Sequence, residues 1–139
     1  MSLSIRNQLP GTITAVTPGE VMATVKVRLA GGQSLTAAIT LEAVEDLGLT
    51  DGNAVTALVK ATEISLATAP IEGLSIRNQL PGTVSGIATG GAMASVKIAT
   101  EGASLTAVIT RDATTDLALS PGVPVVALIK ATEVALAKA

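Results

Sequence analysis

Ten residues, Leu3-Ser4-Ile5-Arg6-Asn7-Gln8-Leu9-Pro10-Gly11-Thr12, recur unchanged from Leu74 to Thr83. The similarity continues along both halves of the 139-residue chain, with an offset of 71 residues that becomes 70 after a glycine-containing hairpin. Self-similarity over such a length indicates two copies of one structural unit. We therefore predict a first domain over residues 1–68, a linker over 69–73 and a second domain over 74–139.

Hydrophobic periodicity predicts the elements within each unit. Pro10 and Gly11 indicate a bend, and after it polar and apolar residues alternate as in half-buried strands. In the first unit the alternation covers residues 12–16, 23–29, 34–40, 55–60 and 64–67. Between the third and fourth of these strands the period changes to about 3.6 residues, which predicts one short helix. Thr40 can cap this helix and Gly48 can end it.

The order of the elements predicts the fold class. Five short strands with one helix between the third and the fourth is the order of the OB-fold, a small, partly open barrel. We therefore predict an all-β protein of two tandem OB-fold-like small barrels, each with five strands and one short helix between strands 3 and 4.

Composition suggests that these units do not stand alone. The chain is 48% hydrophobic and 14% charged, and it has no aromatic residue and no cysteine. A domain of about 60 residues buries only about 60% of the surface that its unfolded chain exposes, so it is marginally stable without crosslinks. We expect the two units to pack on each other and on further chains.

Charge and residue types exclude several functions. The net charge of −2 does not favour nucleic acid, and OB-folds that bind single strands stack bases on aromatic side chains, which are missing here. Without cysteine or histidine there is no thiol or imidazole catalysis and no zinc finger. The exposed acids of the helix region form no acid–base pair, so we expect neither an enzyme nor a site for a bare metal cation. No apolar run approaches the ~18 residues of a membrane span and no signal peptide is visible, so we predict a cytoplasmic protein without membrane contact.

The duplicated polar residues indicate an anion site. In a strand, Ser4 and Arg6 would point to the same side, which places a hydroxyl donor beside a guanidinium. Cations, fixed donors and a capped helix start are the groups that bind oxyanions. The positions unchanged between the halves include Ser4/Ser75, Arg6/Arg77, Asn7/Asn78, Gln8/Gln79, Thr40/Thr110, Lys60/Lys130 and Thr62/Thr132.

Each of these residues also has a simpler explanation. Arg6 could form a surface ion pair with Glu63, and Lys60 could be a solubilising residue at a strand end. Asn7 and Gln8 could satisfy backbone groups beside the bend. The unchanged duplication favours the anion site over these explanations for the arginine.

Two motifs resemble one known family. Ser-Ile-Arg-Asn-Gln followed by Leu-Pro-Gly-Thr, with a Lys-Ala-Thr segment about 50 residues later, occurs once in each half. This combination resembles the Mop domain of molybdate-binding proteins, the molbindins. A tandem pair that fills the chain is similar to the di-Mop members, which carry or store molybdenum in the cytoplasm.

The resemblance implies OB-like units, a homotrimer, and molybdate or tungstate as a bound ligand held between units. The ligands it implies are Ser4, Arg6, Lys60, Ala61 and Thr62 in the first half, and Ser75, Arg77, Lys130, Ala131 and Thr132 in the second. It places Thr40 and Thr110 nearby at the helix starts, where family members often carry a serine at the positions of Ala43 and Ala113. It also implies a second kind of site on a three-fold axis, around Gly19, Glu20, Val21 and Met22 and around Gly90, Gly91, Ala92 and Met93.

The resemblance gives one leading function and one alternative. The leading function is storage or homeostasis of the oxyanion by a non-catalytic binding protein. The alternative is a molybdate-sensing regulatory module. Because the sequence contains neither a helix-turn-helix nor a nucleotide-binding domain, such a sensor would act through a partner protein.

Overall fold

The computed structural model describes residues 2–139 and consists of two five-stranded antiparallel sheets. The strands are β1 (Asn7–Pro18), β2 (Met22–Leu29), β3 (Ser34–Thr40), β4 (Ala54–Val59), β5 (Ser65–Ala67), β6 (Asn78–Thr89), β7 (Met93–Thr100), β8 (Ala103–Thr110), β9 (Pro124–Ile129) and β10 (Ala135–Lys138). The helices are α1 (Leu41–Leu47) and α2 (Arg111–Asp116), and a short 3₁₀ turn covers Ala61–Glu63 in the first half and Ala131–Glu133 in the second. The predicted fold class and the predicted order of strands and helices are confirmed.

The two halves exchange their last strands, which the sequence did not predict. One sheet has the order β10-β4-β1-β2-β3 and the other the order β5-β9-β6-β7-β8. The final strand of each repeat therefore completes the sheet of the other repeat. Alternation identifies a strand and its buried face, but it does not identify the sheet that the strand joins.

A single hydrophobic core spans both repeats. Its fully buried side chains include Ile13 and Leu35 from the first repeat and Ile98 and Leu105 from the second. The hairpin tips also meet, because a Cβ atom on Gly31 would clash with the backbone carbonyl of Glu101. The expectation that the units pack on each other is therefore confirmed.

The predicted bend at Pro10 and Gly11 is wrong, since β1 runs through both residues without interruption. At Pro10, β1 is paired with β4 and the pairing with β2 only begins at Gly11, and a strand tolerates proline where it has one partner. Gly11 is needed for close approach, because a Cβ there would lie 2.7 Å from the carbonyl oxygen of Arg28. Ser4 and Arg6 precede the strand instead of lying in it.

Helix α1 begins and ends where the sequence predicted. The hydroxyl of Thr40 accepts a hydrogen bond from the N–H of Ala43 (3.1 Å), and Gly48 ends the helix with φ of 61°. Thr110 caps α2 in the same way. Between residues 2 and 139 no helix is long and apolar enough to cross a membrane.

Candidate functional site

Strand register brings the predicted cations together in each repeat. In the β1–β4 pair Asn7 lies opposite Val59, so Arg6, just before β1, and Lys60, just after β4, come to the same end of the sheet. An antiparallel pair places the start of one strand beside the end of the other. The arginine and the lysine therefore meet although 54 positions separate them in the sequence.

The second repeat has the same arrangement. Asn78 lies opposite Ile129 in the β6–β9 pair, which places Arg77 beside Lys130. The pairing within each repeat is independent of the exchange of the last strands.

These strand ends form two pockets. A pocket of about 250 Å³ in the first repeat is lined by Ser4, Ile5, Arg6, Lys60, Ala61 and Thr62. A pocket of about 220 Å³ in the second repeat is lined by the equivalent residues Ser75, Ile76, Arg77, Lys130, Ala131 and Thr132. Each pocket thus brings together the five residues of its repeat for which an oxyanion-binding role was predicted.

The guanidinium of Arg6 is hydrogen-bonded to backbone carbonyls of residues that precede it in the chain. Its Nε donates to the carbonyl oxygen of Ser4 at 3.1 Å, and one terminal nitrogen donates to that of Leu3 at 2.8 Å. Neither bond goes to Glu63, the ion-pair partner considered from the sequence. A guanidinium has five N–H donors, so three of them remain for a ligand.

The 3₁₀ turn after the lysine forms the other wall of the pocket, and sequence reasoning missed it. Lys60 has an extended backbone with φ of −66° and ψ of 141°, and its carbonyl accepts the N–H of Glu63 at 2.9 Å. Within residues 2–139, the N–H groups of Ala61 and Thr62 have no protein acceptor. The first N–H groups of a helical turn are left unpaired in this way. The only sequence signal for the turn was the repeated Lys-Ala-Thr-Glu segment.

Both pockets are positively charged and open to solvent. The side chains of Arg6, Lys60, Arg77 and Lys130 are all exposed. In the part of the chain that the structure describes, no group of three or more acidic side chains could hold a metal ion. The paired arginine and lysine of each pocket can therefore attract a small anion.

The helix starts do not join these pockets within one chain. Thr40 lines a separate pocket of about 370 Å³ with Glu20, Val21, Leu41 and Glu42. Ala43 is bound to the hydroxyl of Thr40 through its N–H, and Ala113 to that of Thr110. The pocket beside Thr40 carries acidic side chains, so it does not repeat the charge of the Arg–Lys pockets.

The two turns expected around a three-fold axis are tight and largely exposed. The N–H of Gly19 donates to the carbonyl of Met22 at 2.8 Å, and that of Gly90 to the carbonyl of Met93 at 2.8 Å. Val21 is 74% exposed, and Met22 and Met93 are nearly half exposed. Their side chains present apolar surface beside the helix starts.

A family model matches each repeat separately. The model of the TOBE domain matches residues 3–66 and again residues 74–136. The chain belongs to the TOBE domain family. It contains two TOBE domains in tandem, and the matched ranges agree with the two sequence repeats.

Both TOBE domains align with relatives whose names refer to molybdenum. The molybdenum-pterin-binding protein MopA of Rhodobacter capsulatus is 41% identical over 139 residues, which is 99% of this chain and 52% of MopA. The molybdenum transport protein ModE of Azotobacter vinelandii is 39% identical over 138 residues, which is 99% of this chain and 51% of ModE. The chain thus spans about half the length of these curated relatives.

A solved structure matches the whole chain. It is the cytoplasmic molybdate-binding protein ModG with molybdate bound, which is 41% identical, covers all of both chains and has a TM-score of 0.96. Agreement at this level includes both TOBE domains and their arrangement.

Proposed function

We propose that this chain is a non-catalytic binding protein for molybdate or tungstate that stores the oxyanion and buffers its concentration in the cytoplasm. The observation that carries the proposal is the duplicated pocket, in which an arginine, a lysine, a serine and a 3₁₀ turn converge in both repeats. The similarity to ModG, described as a cytoplasmic molybdate-binding protein, supports both the ligand and the compartment.

The donors of one pocket are sufficient for useful affinity. A hydrogen bond to a charged group contributes about 1.5–3 kcal/mol, so five or six of them give roughly 8–18 kcal/mol before the costs of binding. Loss of translational freedom and desolvation remove several kcal/mol of this. Micromolar binding, near about −8 kcal/mol, remains within reach.

The exposure of the cations supports a site that a second chain completes. Ion pairs in water are worth little, and they strengthen when water is excluded. Thr40 and Thr110 lie outside the pockets of their own chain, so they can join a pocket only on a neighbouring copy. We therefore propose a homotrimer in which the helix starts, including Ala43 and Ala113, cover the Arg–Lys pockets of adjacent chains.

Exposed apolar side chains support this assembly. Val21, Met22 and Met93 lie on the turns beside the helix starts and would be buried by a neighbouring copy. In such a trimer the turns Gly19–Met22 and Gly90–Met93 are our proposed second kind of site, on the three-fold axis. Because the side chains there are mostly apolar, the donors of that site would be backbone N–H groups.

Isothermal titration calorimetry tests the proposal. Molybdate and tungstate should each bind with two pocket anions per chain, and sulfate and phosphate should bind more weakly because donor spacing selects for the size of the ligand. Absence of heat with molybdate at submillimolar concentration would overturn the proposed function.

A sensing role is the second candidate, and it is favoured by the 34% identity over 139 residues to a protein described as the transcriptional regulator ModE of Yersinia pestis. The molybdate-loaded chain would then bind a partner protein. Recovery of one partner in a pull-down with molybdate, and its loss without molybdate, would support sensing over storage.

A further inference from the structure

Each pocket arginine is followed in the sequence by a buried asparagine. Asn7 is 1% exposed and Asn78 is 2% exposed, although asparagine is usually a surface residue. A buried amide is costly unless its donors and acceptor are satisfied. The partners of these two side chains therefore explain why they are there.

Both asparagines bind the opposite repeat. The Nδ2 of Asn7 donates to the carbonyl of Thr106 at 2.9 Å and to that of Val59 at 3.0 Å, and its Oδ1 accepts from the N–H of Thr106 at 2.7 Å. Asn78 makes the reciprocal pair, since its Nδ2 donates to the carbonyl of Thr36 at 2.8 Å and its Oδ1 accepts from the N–H of Thr36 at 2.7 Å.

The amide binds the free edge of a sheet. Thr106 lies on β8 and Thr36 on β3, and each of these is one of the two edge strands of its sheet. In an antiparallel strand the N–H and the carbonyl of one residue point to the same side. Both groups of Thr106 bind Asn7, so they point away from the neighbouring strand β7. An amide side chain with one acceptor and two donor hydrogens can pair with both groups at once.

The second wall of each pocket rests on the same edge strand. The 3₁₀ turn Ala61–Glu63 packs against β8, and the 3₁₀ turn Ala131–Glu133 packs against β3. In the first pocket Asn7 thus joins three parts: Arg6 next to it in sequence, Val59 just before Lys60, and the opposite repeat at Thr106. Each pocket has its lining residues in one repeat and its support in the other.

We propose that Asn7 and Asn78 are positioning residues for the oxyanion pockets, and that each fixes the spacing of arginine and lysine in its own repeat against the edge strand of the other repeat. This inference rests on the proposed function. Its consequence is that a lesion in the second repeat, at Thr106, weakens the pocket of the first repeat.

The test uses a matched pair of prolines. Thr106→Pro removes the backbone N–H that donates to the Oδ1 of Asn7. The hydrogen bonds between β7 and β8 remain, because that N–H faces the free edge of the sheet. Thr36→Pro is the equivalent lesion for Asn78. Each is combined with Arg6→Ala or Arg77→Ala, which leaves one pocket, and molybdate titration then measures that pocket.

We expect a crossed pattern. With Arg77→Ala, which leaves the first pocket, Thr106→Pro should weaken molybdate binding at least ~10-fold, as for the loss of one hydrogen bond with its desolvation cost, and Thr36→Pro should change it less than ~2-fold. With Arg6→Ala the two prolines should exchange their effects. Equal weakening of both pockets by either proline, or no weakening, overturns the inference, because a merely structural role would produce those results.

Two further measurements keep the test decisive. If a proline variant fails to fold by circular dichroism, Asn7→Ser and Asn78→Ser replace the prolines, since serine is too short to reach the edge strand, and each should weaken only its own repeat's pocket. If the wild type binds no molybdate, the proposed function fails and this inference fails with it. Binding by the wild type without the crossed pattern overturns this inference alone.

Discussion

The two repeats have the same pocket but different surroundings. All six lining residues of one pocket are repeated in the other. The helices, in contrast, read Leu-Glu-Ala-Val-Glu-Asp-Leu in α1 and Arg-Asp-Ala-Thr-Thr-Asp in α2. The comparison teaches that sequence identity between the repeats is concentrated where strands meet the pocket and the opposite repeat, whereas a helix that covers the barrel can change.

Identical residues can still make different contacts. Gln8 donates to the carbonyl of Ile5 at 3.1 Å, whereas Gln79 both donates to and accepts from the backbone of Ile71 in the linker. The partner of Gln79 lies in the segment between the repeats, whereas the partner of Gln8 lies three residues before it. The pockets therefore have equal lining residues, but the glutamines beside them make different contacts.

Removing one arginine at a time is the change with the largest expected effect. Arg6→Ala should abolish the first pocket and Arg77→Ala the second, so each variant keeps half of the pocket sites and the double variant keeps none. Two charge-assisted hydrogen bonds are lost at each pocket, which corresponds to a loss of affinity on the order of 10²- to 10⁴-fold. Titration calorimetry gives the number of sites.

Arg28→Ala is the matched control, because it removes the same charge from an exposed position on β2 that does not line the Arg–Lys pocket. It should leave the affinity within ~2-fold. Unchanged site numbers in the double arginine variant, with a normal circular dichroism spectrum, would contradict the assignment of the pockets.

Substituting the residues with positive φ that follow the two helices has a smaller expected effect. Gly48 has φ of 61° and its equivalent Ala118 has φ of 53°, a left-handed conformation that costs a residue with a Cβ about 1–2 kcal/mol. Glycine also loses more backbone entropy on folding, by about 0.5–1 kcal/mol. Ala118→Gly should thus raise the free energy of unfolding by about 0.5–1 kcal/mol, as measured by urea denaturation.

Gly48→Ala is the opposite change and should lower the free energy of unfolding by a similar amount. Space is not limiting, since the nearest atom to a Cβ there is the Lys138 Nζ at 3.6 Å. If both substitutions shift the urea midpoint in the same direction, backbone conformation does not explain the difference between the two helix ends.

Local features of the fold were predictable from the sequence. The cap at Thr40, the end of α1 at Gly48 and the buried faces of β2 and β3 follow from residue type and periodicity, which act over a few neighbours. The Pro10–Gly11 bend was wrongly predicted because the same residue pair also suits a strand that changes partner and approaches another closely.

Features that depend on distant partners were not predictable. The exchange of β5 and β10 depends on which sheet edge is free, and alternation carries no information about that. The pocket residues could be predicted because they are duplicated and because their motifs resemble those of a known family. Neither signal requires knowledge of three-dimensional contacts. Bonding to nearby backbone was one explanation considered for Asn7, but its partner Thr106 lies 99 positions away. Only the three-dimensional structure identifies that partner.

Anomalous diffraction at the molybdenum edge, from crystals grown with molybdate, shows directly whether the anions bind in the Arg–Lys pockets. We predict two pocket peaks per chain in addition to those of the proposed axial sites. One lies within hydrogen-bonding distance of Arg6 and Lys60, the other within that distance of Arg77 and Lys130, and each is also contacted by a neighbouring copy. Peaks found only away from these four side chains, or none at all, would contradict the assignment of the Arg–Lys pockets as oxyanion sites.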